Sequence, residues 1–348
     1  MFNAIGAHVY AGGFTIGVRE HFNVLAHLEH AAYGKEVVNL NYPDLPIYDG
    51  GPANWPKTWP KGSARPRFLY ANPPCAIWSG ASAGRVCPWQ EDPRLQFHRD
   101  IFHYALDDVE VDVLAMESVP PSFVKGRDYV NDLIAKAAER GYSTTVAKHN
   151  AKWFGVAQNR SRIFYVFHKV AIPWTHPEFT EPKTVRQALK GIRSKRGGYD
   201  TTINESYAKL VAQAAPGEGL ARVFQRLNPS PEMNHLGKVK GRPSFLDGRL
   251  PWDKPANVVI AGKPIHPEEN RYLSQEETAA ICGFPKDYRW PKGSFVDITG
   301  YMSRGIMPPV GAWLADNVKR ALEMNKRLNT QTASVLDVSV PPGEYYAL

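Results

Sequence analysis

The stretch Phe68-Leu-Tyr-Ala-Asn-Pro-Pro-Cys-Ala-Ile-Trp-Ser79 joins an apolar run to a cysteine across two prolines. Phe68, Leu69 and Tyr70 read as a buried strand, and Pro73 and Pro74 end it because neither can donate to a sheet ladder. Cys75 is therefore expected just past the carboxyl end of a strand, where ligands and reacting groups gather in open α/β sheets. Two roles are open to it at this level: a nucleophile on a proline-stiffened loop, or a small buried hydrophobe.

The neighbouring segments repeat the strand-then-loop plan. Residues 2–29 read as strand, glycine turn, helix and strand, with the turn at Ala11-Gly12-Gly13-Phe14 and an acid, Glu29, after the second strand. Glycines there let backbone approach a ligand, and the acid can accept from ribose hydroxyls. A plain strand–helix turn is the alternative. Val111–Met116 is another buried-strand pattern, ending at Glu117-Ser118-Val119-Pro120-Pro121. Small residues after Ser79 suggest a lid over 79–91. Asp128–Arg140 reads as an amphipathic helix closed by Gly141, and Tyr142–Lys148 and Ile163–Phe167 as strands flanking Gln158-Asn-Arg160-Ser-Arg162. Arginines two apart in extended chain share a face and can grip a phosphate or a base edge, or simply be solvated.

The 348 residues suit one large domain and a smaller one. No run approaches the ~18 apolar residues of a membrane helix, and no signal-peptide layout is evident. Three cysteines without CxxC spacing argue against a disulfide framework or a structural metal site and fit a reducing cytoplasm. The net charge of +8 favours an anionic partner. Between 170 and 265 the chain turns rich in Pro, Gly, Lys and Arg, with basic groups at Lys190, Arg193, Lys195 and Arg196 and at Lys238, Lys240 and Arg242. That suits a nucleic-acid groove in a smaller domain, or a solvated face. Ser274-Gln-Glu-Glu277 is a capping box, Tyr301–Pro309 reads as a loop, and Gly311–Met324 as a helix.

Five segments, in order over about 2–323, resemble the DNA (cytosine-5) methyltransferase family. They are Ala11-Gly-Gly-Phe14, Pro73-Pro-Cys75 with Ser79, Glu117-Ser-Val119, Gln158-Asn-Arg160-Ser-Arg162, and Arg271-Tyr-Leu-Ser-Gln-Glu276 with Gly283-Phe-Pro285. The resemblance implies a doubly wound α/β sheet of the S-adenosyl-L-methionine (SAM) methyltransferase kind with a smaller, irregular target-recognition domain. The expected division is 1–169 plus 266–330 catalytic, 170–265 DNA-binding, and 331–348 a tail. It implies Cys75 as nucleophile, with Glu117, Arg160 and Arg162 catalytic. Gly12, Gly13, Phe14 and Glu29 would face SAM, and Pro74, Ser79 and Gln158 the substrate. The implied partner is double-stranded DNA with a flipped cytosine, met by a monomer in the cytoplasm of a bacterial or phage-infected cell.

The departures from the family pattern cluster on the methyl-donor side. Where the family reads Asp-x-Phe-x-Gly-x-Gly-Gly, this chain has Gly6-Ala-His8-Val-Tyr10-Ala-Gly-Gly13, and Arg304-Gly305 replaces a Gly-Asn. Ala76 and Ser118 replace a glutamine and an asparagine near the base. A divergent SAM pocket, a SAM derivative or other one-carbon donor, and a catalytically silent DNA-binding homologue are the three readings this leaves.

Overall fold

The structure, a computed structural model, describes residues 1–59, 64–79, 88–192, 199–230, 243, 247–259 and 264–342. The expected lid falls largely on 80–87, and most of the basic clusters on 193–198 and 231–242, outside the described residues. The strands are β1 (Asn3–Ala7), β2 (Asn23–Leu28), β3 (Ile47–Tyr48), β4 (Phe68–Ala71), β5 (Val113–Ser118), β6 (Ser143–Asn150), β7 (Ser161–His168), β8 (Gly248–Arg249), β9 (Pro264–Ile265) and β10 (Ala333–Val338). The helices are α1 (Gly13–Arg19), α2 (Ala32–Asn41), α3 (Leu95–His103), α4 (Pro121–Lys125), α5 (Arg127–Glu139), α6 (Val185–Leu189), α7 (Glu205–Ala212), α8 (Leu220–Leu227), α9 (Gln275–Ile281), α10 (Phe295–Arg304) and α11 (Pro308–Met324). Among the described residues no helix is long and apolar enough to cross a membrane.

The chain divides into two units. One comprises Met1–Phe154, Ser161–Thr180 and Gly305–Leu348; the other comprises Gly155–Arg160 and Glu181–Arg304. This corrects the expected division, because residues 155–160 and 266–304 belong with the smaller unit. Residues 333–338 are also not a tail. They form β10, parallel to β6 from Ala333↔Thr144 to Val338↔His149. Residues 301–304, expected in a loop, close α10.

The larger unit holds an eight-stranded sheet in the order β3-β2-β1-β4-β5-β7-β6-β10, the expected doubly wound plan. Every pairing is parallel except those of β7 with β5 and β6. The chain leaves β1 toward one edge and returns at β4 to build toward the other, so the topological switch point falls at the carboxyl ends of β1 and β4. Parallel strands covered on both faces must be apolar throughout. Accordingly Phe68–Ala71 and Val113–Ser118 are buried at every position. Beneath the sheet, Thr15 Oγ1 lies 2.9 Å from both His27 Nε2 and Tyr70 Oη, linking three buried polar side chains inside the core. At the opposite, amino end, buried Asp112 pairs with Arg67, Arg65 and Arg327.

Helices α1 and α11 cross where glycine leaves room for backbone. A Cβ added at Gly17 would lie 2.2 Å from Ala312 N and 2.4 Å from Pro308 O. Backbone on both sides cannot step aside as a side-chain tip can. Gly17→Ala is therefore expected to destabilise by about 3 kcal/mol, the upper part of the range for overpacking. Urea titration of the variant checks this, and a loss under about 0.5 kcal/mol, the size of an ordinary surface effect, would show that the helices part freely.

The smaller unit has its own core of Ile203, Leu210, Val211, Leu220, Val223 and Ile265. Buried Arg249 donates to the carbonyls of Val211, Ala214, His266 and Glu269, so one guanidinium holds otherwise irregular loops together. The Ser274–Glu277 capping box forms and opens α9.

Candidate active site at the carboxyl edge of the sheet

After β4 the chain turns through Asn72-Pro73-Pro74, and Cys75 opens a short 3-10 turn, Cys75–Ile77, with Trp78 N donating to Cys75 O at 3.2 Å. Cys75 is half-buried, while Ile77 and Trp78 behind it are core. His98, from α3, lies with Nε2 3.1 Å from Pro74 O, which makes Nε2 the protonated nitrogen. Burial holds His98 down to about 4, against the opposing pull of that carbonyl. The Trp78 ring meets His98 edge-on at 5.3 Å. The thiol thus sits on a loop clamped from behind, rather than on a free surface.

Glu117, the penultimate residue of β5, is fully buried. Its Oε2 accepts from Asn72 Nδ2 at 2.8 Å, and its Oε1 lies 3.0 Å from Arg162 Nε. Register explains the meeting. Ala71 faces Met116 across β4–β5, which puts Asn72 beside Glu117, and β5 runs antiparallel to β7 with Ser118 opposite Ile163. Arg162, one residue earlier on β7, is carried to the same edge. An amide, a carboxylate and a guanidinium from three adjacent strands form one polar chain beside the Cys75 loop. Asn72 was legible in sequence only as a turn residue; its position directly before two prolines is the signal that places it at a strand end.

The other polar candidates have different surroundings. Gln158 belongs to the smaller unit, where its Nε2 lies 3.5 Å from Cys282 Sγ and its Oε1 accepts from Val259 N at 3.3 Å. Arg160 is buried there too, beside Cys282; burial pushes that thiol up to about 11, partly offset by the Arg160 charge. Ser79 follows the turn, with its N donating to Ala76 O.

On the side of β1 and β2, the turn after β1 carries three left-handed residues, His8 (φ 50°), Tyr10 (φ 49°) and Gly12 (φ 74°). Side-chain-bearing residues in that conformation cost roughly 1–2 kcal/mol each, which explains why glycine suits the Tyr10 position. Glu29, at the end of β2, is buried and accepts from Tyr10 N at 3.1 Å and Ala31 N at 3.0 Å. Burial pushes its acid up to about 7 against the pull of these donors. The ring of Phe14, expected to face a cofactor, lies instead in the core, 4.8 Å from Tyr70 and 5.7 Å from Phe164. The first turn of α1 points it under the sheet. The aromatic wall beside Glu29 is made by His8, His30 and Phe97, with His30 stacked on Phe97 at 4.6 Å and 19°. Neither His30 nor Phe97 carries a local sequence mark of this role.

The family model for C-5 cytosine-specific DNA methylase matches residues 3–320. The chain is 25% identical over 248 residues to the type II methylase M.HgiDII of Herpetosiphon aurantiacus, covering 64% of this chain and 68% of that protein. It is 26% identical over 289 residues to the type II methyltransferase M.FnuDI of Fusobacterium nucleatum, covering 76% and 79%. Among solved structures, the fold is similar to that of a protein encoded within an Escherichia coli prophage and described as a candidate DNA modification methyltransferase. That likeness has a TM-score of 0.67 and 18% identity and covers 93% of this chain and 100% of the other.

Proposed function

Because the chain belongs to the C-5 cytosine-specific DNA methylase family and so methylates cytosine at C5 in DNA, we propose that Cys75, Glu117, Arg162 and Asn72 carry the chemistry. The observation that supports this division of labour most is the Asn72–Glu117–Arg162 chain beside the Cys75 loop. Carbon 5 of cytosine is a poor nucleophile, so a thiolate adding at C6 is needed to make it electron-rich. A free thiol has a pKa near ~8.5, and a neighbouring cation raises its thiolate fraction; Arg162 is the candidate. Addition at C6 drives negative charge to ring N3. Glu117 in its protonated form, fixed by an amide and a guanidinium, is preorganised to donate a hydrogen bond to that N3. Once C5 is substituted, loss of the C5 proton to a base expels the Cys75 thiolate from C6 and restores the ring. The cytosine must leave the duplex first, at a cost of a few kcal/mol that the pocket contacts return.

The donor-side residues fit SAM. Glu29, just past the end of β2 and held by backbone N–H groups including those of Tyr10 and Ala31, stands where a carboxylate can meet a ribose diol, and the His8–His30–Phe97 wall offers rings for a purine. When bound there, SAM supplies the methyl group. Glu29 would orient it by the sugar. His8 and Tyr10 also support a second reading, a modified donor, which the mass of the product distinguishes.

In this reading the protein acts as a monomer on double-stranded DNA with a flipped base, in the cytoplasm of a bacterial or phage-infected cell. Mass spectrometry of nucleosides from DNA incubated with protein and SAM is expected to show 5-methylcytosine. Arg162→Ala is expected to slow its formation 10²–10³-fold, the scale for removing one preorganised charge partner. Arg162→Lys should not restore the rate, since lysine has no Nε at the position from which Arg162 meets Glu117 Oε1. An unmodified cytosine pool with any DNA, or wild-type rates in Arg162→Ala, would overturn the assignment.

A further inference from the structure

We propose that His8, Glu29 and His30 form a binding site for a divalent transition-metal ion, with zinc the best match, beside the residues assigned above to the donor. The ligand atoms of the three residues lie within 4.8 Å of one another. His8 Nδ1 and His30 Nδ1 are 2.9 Å apart, and His30 Nδ1 is 3.8 Å from Glu29 Oε1. Metal–nitrogen and metal–oxygen bonds of about 2.0–2.2 Å at tetrahedral angles require donor separations near ~3.3 Å. The two measured edges bracket that value. His30, the exposed member, is common to both edges, so its movement adjusts them together.

The ligands are held in advance. His8 is fixed by its left-handed backbone and by its N–H, which donates to Leu28 O at 2.9 Å. Strain of this kind persists where surrounding structure over-determines it, and it gathers at functional sites. Two backbone N–H groups orient the Glu29 carboxylate, the outer contact that metal-ligating carboxylates require. Stacking on Phe97 fixes the plane of His30. Without an ion, two facing Nδ1 atoms at 2.9 Å share a single proton; an ion uses both lone pairs and the carboxylate together. Two imidazoles and one carboxylate select zinc or a neighbouring first-row ion over magnesium or calcium, which prefer all-oxygen sets. His8 and Glu29 are buried while His30 is exposed, so the ion has an entry path and a coordination position left for an exchangeable ligand. An ion on Glu29 occupies the carboxylate assigned above to the ribose, so metal and donor exclude each other. That exclusion rests on the donor reading; the metal site itself does not.

Cobalt(II) titration of chelator-treated protein tests the site. A visible d–d band saturating at one equivalent and bleached by zinc is expected, as is a rise in Tm with zinc, because the ion binds the folded state. His30→Ala, at an exposed position that leaves the fold intact by circular dichroism, should weaken cobalt binding at least tenfold. Absence of the band, or an unchanged titration in His30→Ala, overturns the site. SAM affinity of the metal-free protein, measured by calorimetry, separates the two ideas. SAM binding without cobalt binding overturns the metal site alone, and cobalt binding through His30 without SAM binding supports it while removing the donor reading.

Discussion

Cys75→Ala is expected to reduce methyl transfer to DNA by at least ~10⁴-fold while leaving the fold intact. The expectation follows from the size of the chemical problem, since loss of the residue that forms the covalent intermediate removes most of the catalysis, as in other covalent enzymes. No other group described at this edge of the sheet is a nucleophile of comparable strength. Structure argues that the fold will tolerate the change, because Cys75 is only half-buried at the start of a turn whose apolar anchors, Ile77 and Trp78, remain. A 5-fluorocytosine duplex should trap a covalent adduct with the parent protein and none with the variant. Cys282 is the internal control: fully buried and with its thiol raised to about 11, it should resist iodoacetamide under conditions that alkylate Cys75. Activity within tenfold of the parent in Cys75→Ala would remove the sulfur from the mechanism.

The Cys75 loop was legible in sequence because its determinants are local: an apolar run, then two prolines that no strand can continue through. Glu117 was legible for the same reason, before Pro120-Pro121. What was not legible depends on pairing between segments far apart in the chain. Asn72 becomes part of the site only because β4 lies beside β5 in that register. β10 was missed because an edge strand needs little apolar surface, and Ala333, Ser334 and Val335 are exposed. Phe14 follows a glycine turn, as a cofactor-facing residue does, yet the helix geometry turns its ring into the core. The His8–His30 approach joins the ends of β1 and β2, and neither residue carries a local mark of it. The division into units escaped composition because Gly155–Arg160 joins the smaller unit through pairings such as Gln158↔Ala256.

Below neutrality the metal-free protein is expected to lose about 3 kcal/mol of stability between pH 6.5 and pH 5. Burial lowers His8 and His27 to about 3 and His98 to about 4, from an unfolded value of 6.5. For each, the unfolded chain binds the extra proton in this window, so the stability is fully present above pH 6.5 and drains away as pH falls toward the folded value. Glu29 acts with the opposite sign. Burial raises it from 4.5 to about 7, so its folded form takes up a proton first and it regains part of the loss as pH drops. Three histidines against one carboxyl leave a net uptake of nearly two protons on unfolding near pH 5, and 1.36 kcal/mol per unit per proton sets the size. His168, also lowered by burial, adds in the same direction. A loss of this size is a large share of the 5–15 kcal/mol that folded domains hold in reserve. Urea midpoints at pH 6.5 and 5.0 in the presence of chelator measure it. His27→Gln should flatten the pH dependence by about one proton, because the buried Thr15–His27–Tyr70 contact then has nothing to titrate. Equal midpoints at the two pH values would mean that these rings are protonated in place or reached by water, and that the core beneath β1, β2 and β4 is looser than its packing indicates.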